Sequence, residues 1–344
     1  MRGKSHEEQS AASQSLAGTL DAVFWLDRPD TPQPVDALSG QTTADLVIVG
    51  AGFTGLWTAL VAAEADPGRR IVVLEAETTA FGASGRNGGF CEASLTHGLA
   101  NGLAHWPDEL DTLLRLGDEN LDDLLDTIDR HAIDCDAERT GRMDIAVEPW
   151  QVDELLQLAE ASSRLGVDHA MLDTEAIRAE IDSPTYLAGL WHRTDAAMVD
   201  PARLAWGLQS AARSLGVVFH DNSPVCSIKR SGAGIEVQTD RGRVMADRAV
   251  VATNAYRRPL SRIRRHVIPV YDHVLMTEPL STDQWSAIGW GNRQGLSDAG
   301  NQFHYYRRTA DGRILWGGYD IIYHFGGRVG PSVEHHAPTT RRLA

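Results

Sequence analysis

The sequence predicts an α/β chain, α+β overall, in which a parallel strand–helix–strand unit precedes a mostly antiparallel sheet region. Three observations carry this. "ADLVIVG" (44–50) and "RRIVVLEAE" (69–77) are short apolar runs rich in β-branched residues, the pattern of strands buried on both faces. "FTGLWTALVAAEAD" (53–66) lies between them with helical patterning and stops at Pro67-Gly68. Beyond residue 217, short strand-like runs follow one another across turns such as "SGAG" and "DRG".

Taken in order, residues 1–44 read as a leader. Its start, "MRGKSHEEQSAASQSLAGTL", lacks the apolar core of a secretory signal, and 21–44 carry prolines and polar residues. The strand–helix–strand unit follows, with a right-handed crossover expected. A glycine-rich loop, "AFGASGRNGGF" (80–90), leaves the second strand. In 107–131, Leu110, Leu113, Leu114, Leu121, Leu124, Leu125 and Ile128 form a helical stripe, with Pro107 suited to its first turn and the carboxylates on its wet face. A strand is expected over 141–148 and a helix over 151–165. "DPARLAWGLQSAARSLG" (200–216) is a helix capped by Asp200 and stopped at Gly216.

Strands are then expected at "VVFH", "VCSIKR", "GIEVQTD", "RVMAD" and "RAVVAT", with 225–246 an antiparallel meander. "VIPVYDHVLMTEP" (267–279) alternates so that Tyr271, His273, Leu275 and Thr277 share a face. "FHYYRRTADGRILWGG" (303–318) reads as a hairpin turning near Asp311-Gly312.

Composition bounds the function. The 344 residues are 42% hydrophobic with a formal net charge of −15, ordinary for a globular chain long enough for two domains. Such acidity argues against nonspecific nucleic-acid binding. It suits a solvated surface, and it would attract a cationic amine. No apolar run reaches the roughly 18 residues of a membrane span. Cys91, Cys135 and Cys226 are scattered, forming neither a metal pair nor a disulfide framework, which fits a reducing cytoplasm.

The chemistry lies in the glycines. "GAGFTG", Gly50 to Gly55, follows a strand and opens a helix, and Glu75 falls about 20 residues further on. Gly50 permits the tight turn, Gly52 lets backbone approach a pyrophosphate, and Gly55 lets helix and strand pack closely. The helix N-terminus offers N–H groups and partial positive charge to phosphates. Glu75 would accept from ribose hydroxyls and repel a 2′-phosphate, favouring NAD or FAD over NADP; the motif leaves those two open. The 80–90 loop departs from the carboxyl edge of the sheet, where ligands bind. It offers the Ser84 hydroxyl, the Arg86 cation, the Asn87 amide and approachable backbone at its glycines.

"DLVIVGAGFTGLWTAL", "VVLEAE", "GASGRNGGF", "VDPARLAWGLQSAARSLGV" and "AVVATNAY" together resemble FAD-dependent amine and amino-acid oxidoreductases of the D-amino-acid oxidase and glycine oxidase superfamily. "GASGRNGG" is most similar to the γ-glutamylputrescine oxidoreductase branch. The resemblance, over about residues 22–330, implies a Rossmann-like FAD-binding domain with a second, mostly antiparallel-sheet substrate domain. The FAD domain would comprise 45–104 and 196–256, the substrate domain 105–195 and 257–330, with 331–344 a polar tail. Gly50, Gly52, Phe53, Thr54 and Gly55 would hold the pyrophosphate, and Glu75, followed by Ala76, the adenosine ribose. Ser84, Arg86, Asn87, Gly88 and Gly89 would line the ribityl chain and flavin. Val225 would meet the adenine through its backbone, and Ala252, Thr253 and Asn254 would close over the dinucleotide. The implied partners are a small amine or amino acid and an electron acceptor, oxygen or another. Such proteins continue into a glycine-rich loop and closing helix, so the chain is expected to be C-terminally truncated. A noncatalytic remnant and an NAD-dependent dehydrogenase stand as alternatives; for the latter no second catalytic domain with a His or Lys acid is recognisable.

Tyr271, His273 and Tyr305, with Phe303, are candidates to line an amine pocket. Arg307 would either bind a substrate carboxylate or, as the commoner case, be an exposed strand arginine. Cys91 follows the loop and is the candidate for a covalent flavin link. His97 and His105 receive no role, and no catalytic base is singled out by spacing.

Overall fold

The computed structural model describes residues 6–256, 260, 262, 266–318 and 320–344, with side chains of 6–10 left aside. The elements run α1 (His6–Ser15), β1 (Gly40–Val49), α2 (Phe53–Ala65), β2 (Ile71–Leu74), β3 (Phe90–Glu92), α3 (Leu99–His105), α4 (Leu110–Arg130), β4 (Arg142–Ala146), α5 (Pro149–Arg164) and β5 (Ala170–Leu172). They continue with α6 (Thr174–Glu180), β6 (Ala188–His192), β7 (Ala196–Met198), α7 (Pro201–Ser214), β8 (Val218–His220), β9 (Val225–Ser231), β10 (Gly234–Thr239) and β11 (Gly242–Val251). The last are β12 (Val274–Met276), α8 (Thr282–Ile288), β13 (Gly295–Asp298), β14 (His304–Arg308), β15 (Ile314–Gly318) and α9 (Ala337–Leu343).

Among the described residues, two larger sheets form. The first has the order β8-β2-β1-β11-β10-β9. β8, β2, β1 and β11 are parallel, and β11-β10-β9 is the expected antiparallel meander. β2 is buried throughout, as a continuous apolar run requires. α2 and α7 pack together over one face, where Leu56, Leu60, Leu204 and Leu208 meet Ile48 and Val73. Asp200 caps α7 as expected, accepting from the N–H groups of Ala202 and Arg203.

The second sheet, β12-β15-β14-β13-β4-β6-β5, is antiparallel except for the parallel pair β13–β4. Trp285, Trp290, Tyr306 and Met143 pack in its core. β3 and β7 pair separately.

Four expectations are revised. The two strands expected over 243–253 are one, β11, because its whole length runs beside β1. Asp247 and Arg248 interrupt the apolar pattern without breaking it, since β10 covers only Arg243–Ala246 and leaves them exposed. The strand expected over 267–279 is ordered as a ladder only at β12. β15, its partner, ends at Gly318 with φ +95°, and among the described residues the next pairing on this side is Tyr271 with Ile322. The leader over 21–44 and the 331–344 tail pack against the body. Trp25 and Leu38 are buried from the leader, and Val333, Thr339 and Leu343 from the tail. Pro107 precedes α4 rather than entering its first turn.

Candidate functional site

The first glycine turn is built as its spacing predicts. Gly50 has φ +106°, and a Cβ there would stand 2.6 Å from Ala252 O. Gly50 N–H donates to Leu74 O and Ala252 N–H to Val49 O, each at 2.8 Å, so the ends of β2, β1 and β11 meet at this residue. A Cβ on Gly55 would overlap Gly50 O, the close helix–strand approach assigned to the third glycine. Gly52 caps α2 without any side-chain hydrogen bond, and no acidic residue lies in the first turn. The helix brings no acid of its own to this end, where its first-turn N–H groups carry positive potential; the Phe53 N–H is taken by Ser84 Oγ, and Glu75 reaches the turn at Ala51 N–H. Thr54 is exposed at this end and Phe53 half-buried.

Glu75 closes β2 half-buried. Its carboxylate accepts from Ala51 N–H at 2.7 Å and Glu77 N–H at 3.1 Å, tying the second strand to the turn. Burial raises its pKa against these hydrogen bonds. Ala76 lines a cleft of about 210 Å³ with Asn222, Ser223, Pro224 and Thr239. Val225 follows Pro224, buried at the start of β9. Thr253 and Asn254 continue from Ala252, with Asn254 in the left-handed region at φ +45°.

The 80–90 loop folds largely around itself. Ser84 Oγ accepts the Phe53 N–H at 2.9 Å, joining the loop to the α2 end. Asn87 donates its amide to Ala83 O and Ser84 O and accepts from Gly89 N–H at 2.9 Å. Arg86 donates from Nε to Phe81 O at 2.7 Å, lies over the Phe81 ring and pairs with Glu334 at 3.3 Å. These polar side chains are spent within the protein, and Gly85, Gly88 and Gly89 are buried with them.

The second sheet meets this loop through β14. Gly88 faces the Tyr305 ring, from which a Cβ would be 2.9 Å away, and Phe90 contacts that ring edge-on at 5.8 Å. The Tyr305 hydroxyl donates to Asp272 at 2.7 Å, and burial pushes its pKa up. Tyr271 and His273 lie 6.4 Å apart beside it; Gly330 N–H donates to the Tyr271 hydroxyl, and His273 Nε2 is 3.1 Å from Glu334 O. Phe303 is half-buried at the start of the hairpin.

Arg307 is neither exposed nor available to a carboxylate: it is 2% exposed, and Nη1 donates to Gly88 O, Gly89 O and Val199 O. Alternation along β14 turns it inward beneath the loop. Cys91 is packed below, its thiol pushed up to about 11 by burial, an environment that suppresses the thiolate a covalent link needs. His97 and His105 are exposed and remote from these contacts. Sequence reasoning missed Trp25, whose Nε1 donates to Asn87 O at 3.0 Å. It also missed Arg28, whose guanidinium pairs with buried Asp200. The signal was present as "FWLDR", an aromatic pair and a charged pair inside an otherwise polar lead-in.

A glycine turn at a helix end, an acid closing the neighbouring strand, and a glycine-rich loop roofed by a second sheet define a dinucleotide-binding protein. Residues 45–344 match the family model described as DAO, FAD dependent oxidoreductase, and the chain belongs to that family. It is 34% identical over 307 residues to γ-glutamylputrescine oxidoreductase of Escherichia coli, covering 88% of this chain and 70% of that protein. It is 30% identical over 286 residues to the Haemophilus influenzae protein named "Probable oxidoreductase OrdL", covering 80% of this chain. The chain spans 64% of the length of that second relative. Among solved structures, glycine oxidase from Geobacillus kaustophilus superposes with a TM-score of 0.66 at 19% identity, covering 84% of this chain and 75% of that one. L-proline dehydrogenase from P. horikoshii gives 0.63 at 18%, covering 86% and 74%. These two likenesses establish the shared fold.

The cradle fits the family's cofactor on its own geometry. The glycine turn admits no Cβ at Gly50 or Gly55, α2 has no acid in its first turn, and the one carboxylate at the turn, Glu75, is held by the Ala51 and Glu77 N–H groups at the end of β2. Among the described residues no group of His, Cys, Asp and Glu could hold a metal ion, and no helix is long and apolar enough to cross a membrane.

Proposed function

We propose that this chain binds FAD and oxidises a C–N bond of a small amine or amino acid, with a γ-glutamylputrescine-like amine as the favoured substrate. The observation that carries the reading is the convergence of the glycine turn, Glu75 and the 80–90 loop under β14. The substrate class is supported by the relative of that printed name and by the acidic, aromatic surroundings of Tyr305, Asp272, Tyr271 and His273.

In this reading the residues of Gly50–Gly55 face the pyrophosphate, Glu75 and Ala76 the adenosine ribose, and Val225 the adenine. Ala252, Thr253 and Asn254 flank the dinucleotide, and the main chain at Ser84–Gly89 lies along the ribityl chain and flavin. The bound flavin would supply the acceptor for the hydride equivalent that leaves the substrate carbon. The protein's part is to hold the amine beside the loop, to favour its neutral form by excluding water, and to release an imine that hydrolyses in solution. Tyr305, already committed to Asp272 and Gly88, would form one wall of the pocket, with Tyr271 and His273 further along. Oxygen or another acceptor takes the electrons onward.

The two sheets suggest two domains: 45–104 with 196–256 for the cofactor, and 105–195 with 257–330 for the substrate. Residues 257–259, 261, 263–265 and 319 of the latter stretch lie outside the described residues. Three cysteines without disulfides suit a cytoplasmic enzyme.

The test is spectroscopic. Chain purified with FAD should be yellow, and an anaerobic amine should bleach it; γ-glutamylputrescine and glycine presented in parallel would rank the substrate classes. Peroxide formation in air, against reduction of an added dye, would identify the acceptor. A colourless chain that FAD does not reconstitute, or one that binds NAD instead, would sink the proposal.

A further inference from the structure

We infer that Arg307 is the positioning residue of the 80–90 loop: it reaches from β14 to hold the carbonyls of Gly88 and Gly89, and its buried charge acts on whatever the loop binds. The inference rests on the FAD reading above and adds a residue to it.

The geometry is specific. Arg307 Nη1 donates to Val199 O at 2.7 Å, Gly89 O at 3.0 Å and Gly88 O at 3.4 Å, so one guanidinium gathers two chain segments. Gly89 is shaped to this contact. Its φ is +74°, and a Cβ there would stand 2.6 Å from Arg307 Nη1. The face of Trp25 lies 5.9 Å from Arg307 Cζ, and the same indole donates to Asn87 O. Three successive carbonyls, those of 87, 88 and 89, are therefore held by two side chains. None of the described peptides is cis, so the N–H across each peptide points opposite to its carbonyl. Fixing Asn87 O on Trp25 directs the Gly88 N–H away from the indole. The Gly89 N–H, across from the Gly88 carbonyl that Arg307 holds, is taken by Asn87 Oδ1, so the backbone of 87–89 is set from both sides.

Arg307's hydrogen-bond partners are carbonyls, and its Nε has none among the described residues. Burial pushes its pKa down to about 10, which still leaves it protonated at neutral pH. Asp200 and Glu138 offset this charge from a distance and Arg293 adds to it, but the groups it touches are carbonyl dipoles, so it sets positive potential along the loop. A group that gains electrons there is favoured in its reduced form. Lysine would carry the charge, but its chain is one atom shorter and its ammonium would fall short of the carbonyls that Nη1 reaches.

The experiment compares Arg307→Gln and Arg307→Lys with the parent chain. It measures the FAD dissociation constant by flavin fluorescence, the midpoint potential of the bound flavin by dye-coupled titration, and the visible spectrum. Arg307→Gln should bind FAD about 10- to 100-fold more weakly, the worth of hydrogen bonds from a charged group. Its preference for reduced over oxidised FAD should fall about tenfold, about 30 mV for a two-electron couple. Arg307→Lys should keep the parent's potential while losing affinity. Parent-like affinity, spectrum and potential in Arg307→Gln would overturn the inference, as would weakened binding at unchanged potential, the mark of a purely structural arginine. If Arg307→Gln does not fold, Arg307→Lys decides, and parent-like affinity there overturns it. A parent chain that takes up no FAD defeats the function reading and this inference together. A parent that binds FAD while Arg307→Gln binds it equally defeats this inference alone.

Discussion

Replacing Gly50 by alanine should damage the fold before it damages any ligand contact, and the size of the loss follows from the turn's geometry. At φ +106° an alanine backbone is strained by about 1–3 kcal/mol. Its Cβ would lie 2.6 Å from Ala252 O and 3.0 Å from Ala252 C. Both are backbone atoms, so no rotamer change relieves the overlap. β1 and β11 must separate at their carboxyl ends, where Ala252 N–H donates to Val49 O at 2.8 Å. Loosening that hydrogen bond removes about 1 kcal/mol more. The total is about 3 kcal/mol. With an unfolding entropy of about 2.1 cal/mol/K per residue, the 344 residues unfolding together would melt about 4 °C lower. Differential scanning fluorimetry of the FAD-free chain measures this, with Gly68→Ala as control, since the nearest atom to a Cβ there is 3.5 Å away. FAD titration should show the same variant binding more weakly. If Gly50→Ala melts with the parent and the control, the claim that this turn requires glycine is wrong.

Two further outcomes follow from buried groups. Burial raises the pKa of Asp221 above its ordinary 3.8, despite hydrogen bonds from Val35 and Thr79. A carboxyl raised on folding contributes stability that is full below its ordinary value and is lost as pH rises through the folded value. The melting advantage of the parent over Asp221→Asn should therefore shrink as pH climbs from about 4 toward 7; an advantage that grows over that range would reverse the assignment. Burial also pushes the thiols of Cys91 and Cys135 up to about 11 and about 12, whereas Cys226 is exposed. Iodoacetamide at about pH 8 should label Cys226 in the native chain and the other two only after denaturation, counted by mass spectrometry. Rapid labelling of native Cys91 would contradict its packing and reopen the covalent-link alternative.

The parts of the fold legible in the sequence are those set by short-range rules. The β1–α2–β2 unit shows in its apolar runs and glycine spacing, α7 in the Asp200 cap, and the β9–β10–β11 meander in its tight turns. What was not legible depends on partners distant in the chain. Asp247-Arg248 looked like a strand break because nothing local shows that β1 runs alongside. The stretch before β12 looked like a strand because nothing local shows that its partner turns away at Gly318. Arg307 looked like a surface residue for the same reason. An arginine in a hairpin is usually wet, and only the arrival of Gly88, Gly89 and Val199 above it makes it a core cation.

That last error bears on how a glycine-rich loop should be read. From sequence, the glycines of 80–90 invite a single explanation, a ligand that needs bare backbone beside it. The structure supplies another for two of them: Gly88 lets the Tyr305 ring approach, and Gly89 lets Arg307 and Val199 approach. Both side chains come from β14, two positions apart in a strand of the opposite sheet, so they share one of its faces. The loop is therefore ordered from behind by the second sheet, and a dinucleotide would meet a surface whose conformation is already set. Ordering that many glycines costs conformational entropy, and contacts already made within the protein spare a ligand from supplying it at binding. This divides the loop's residues into two groups with different mutational signatures. Changes at Gly89 or Arg307 should alter the loop with no cofactor present. Changes at the α2 end, where Gly52 supplies no side-chain cap, should be felt mainly when phosphate arrives.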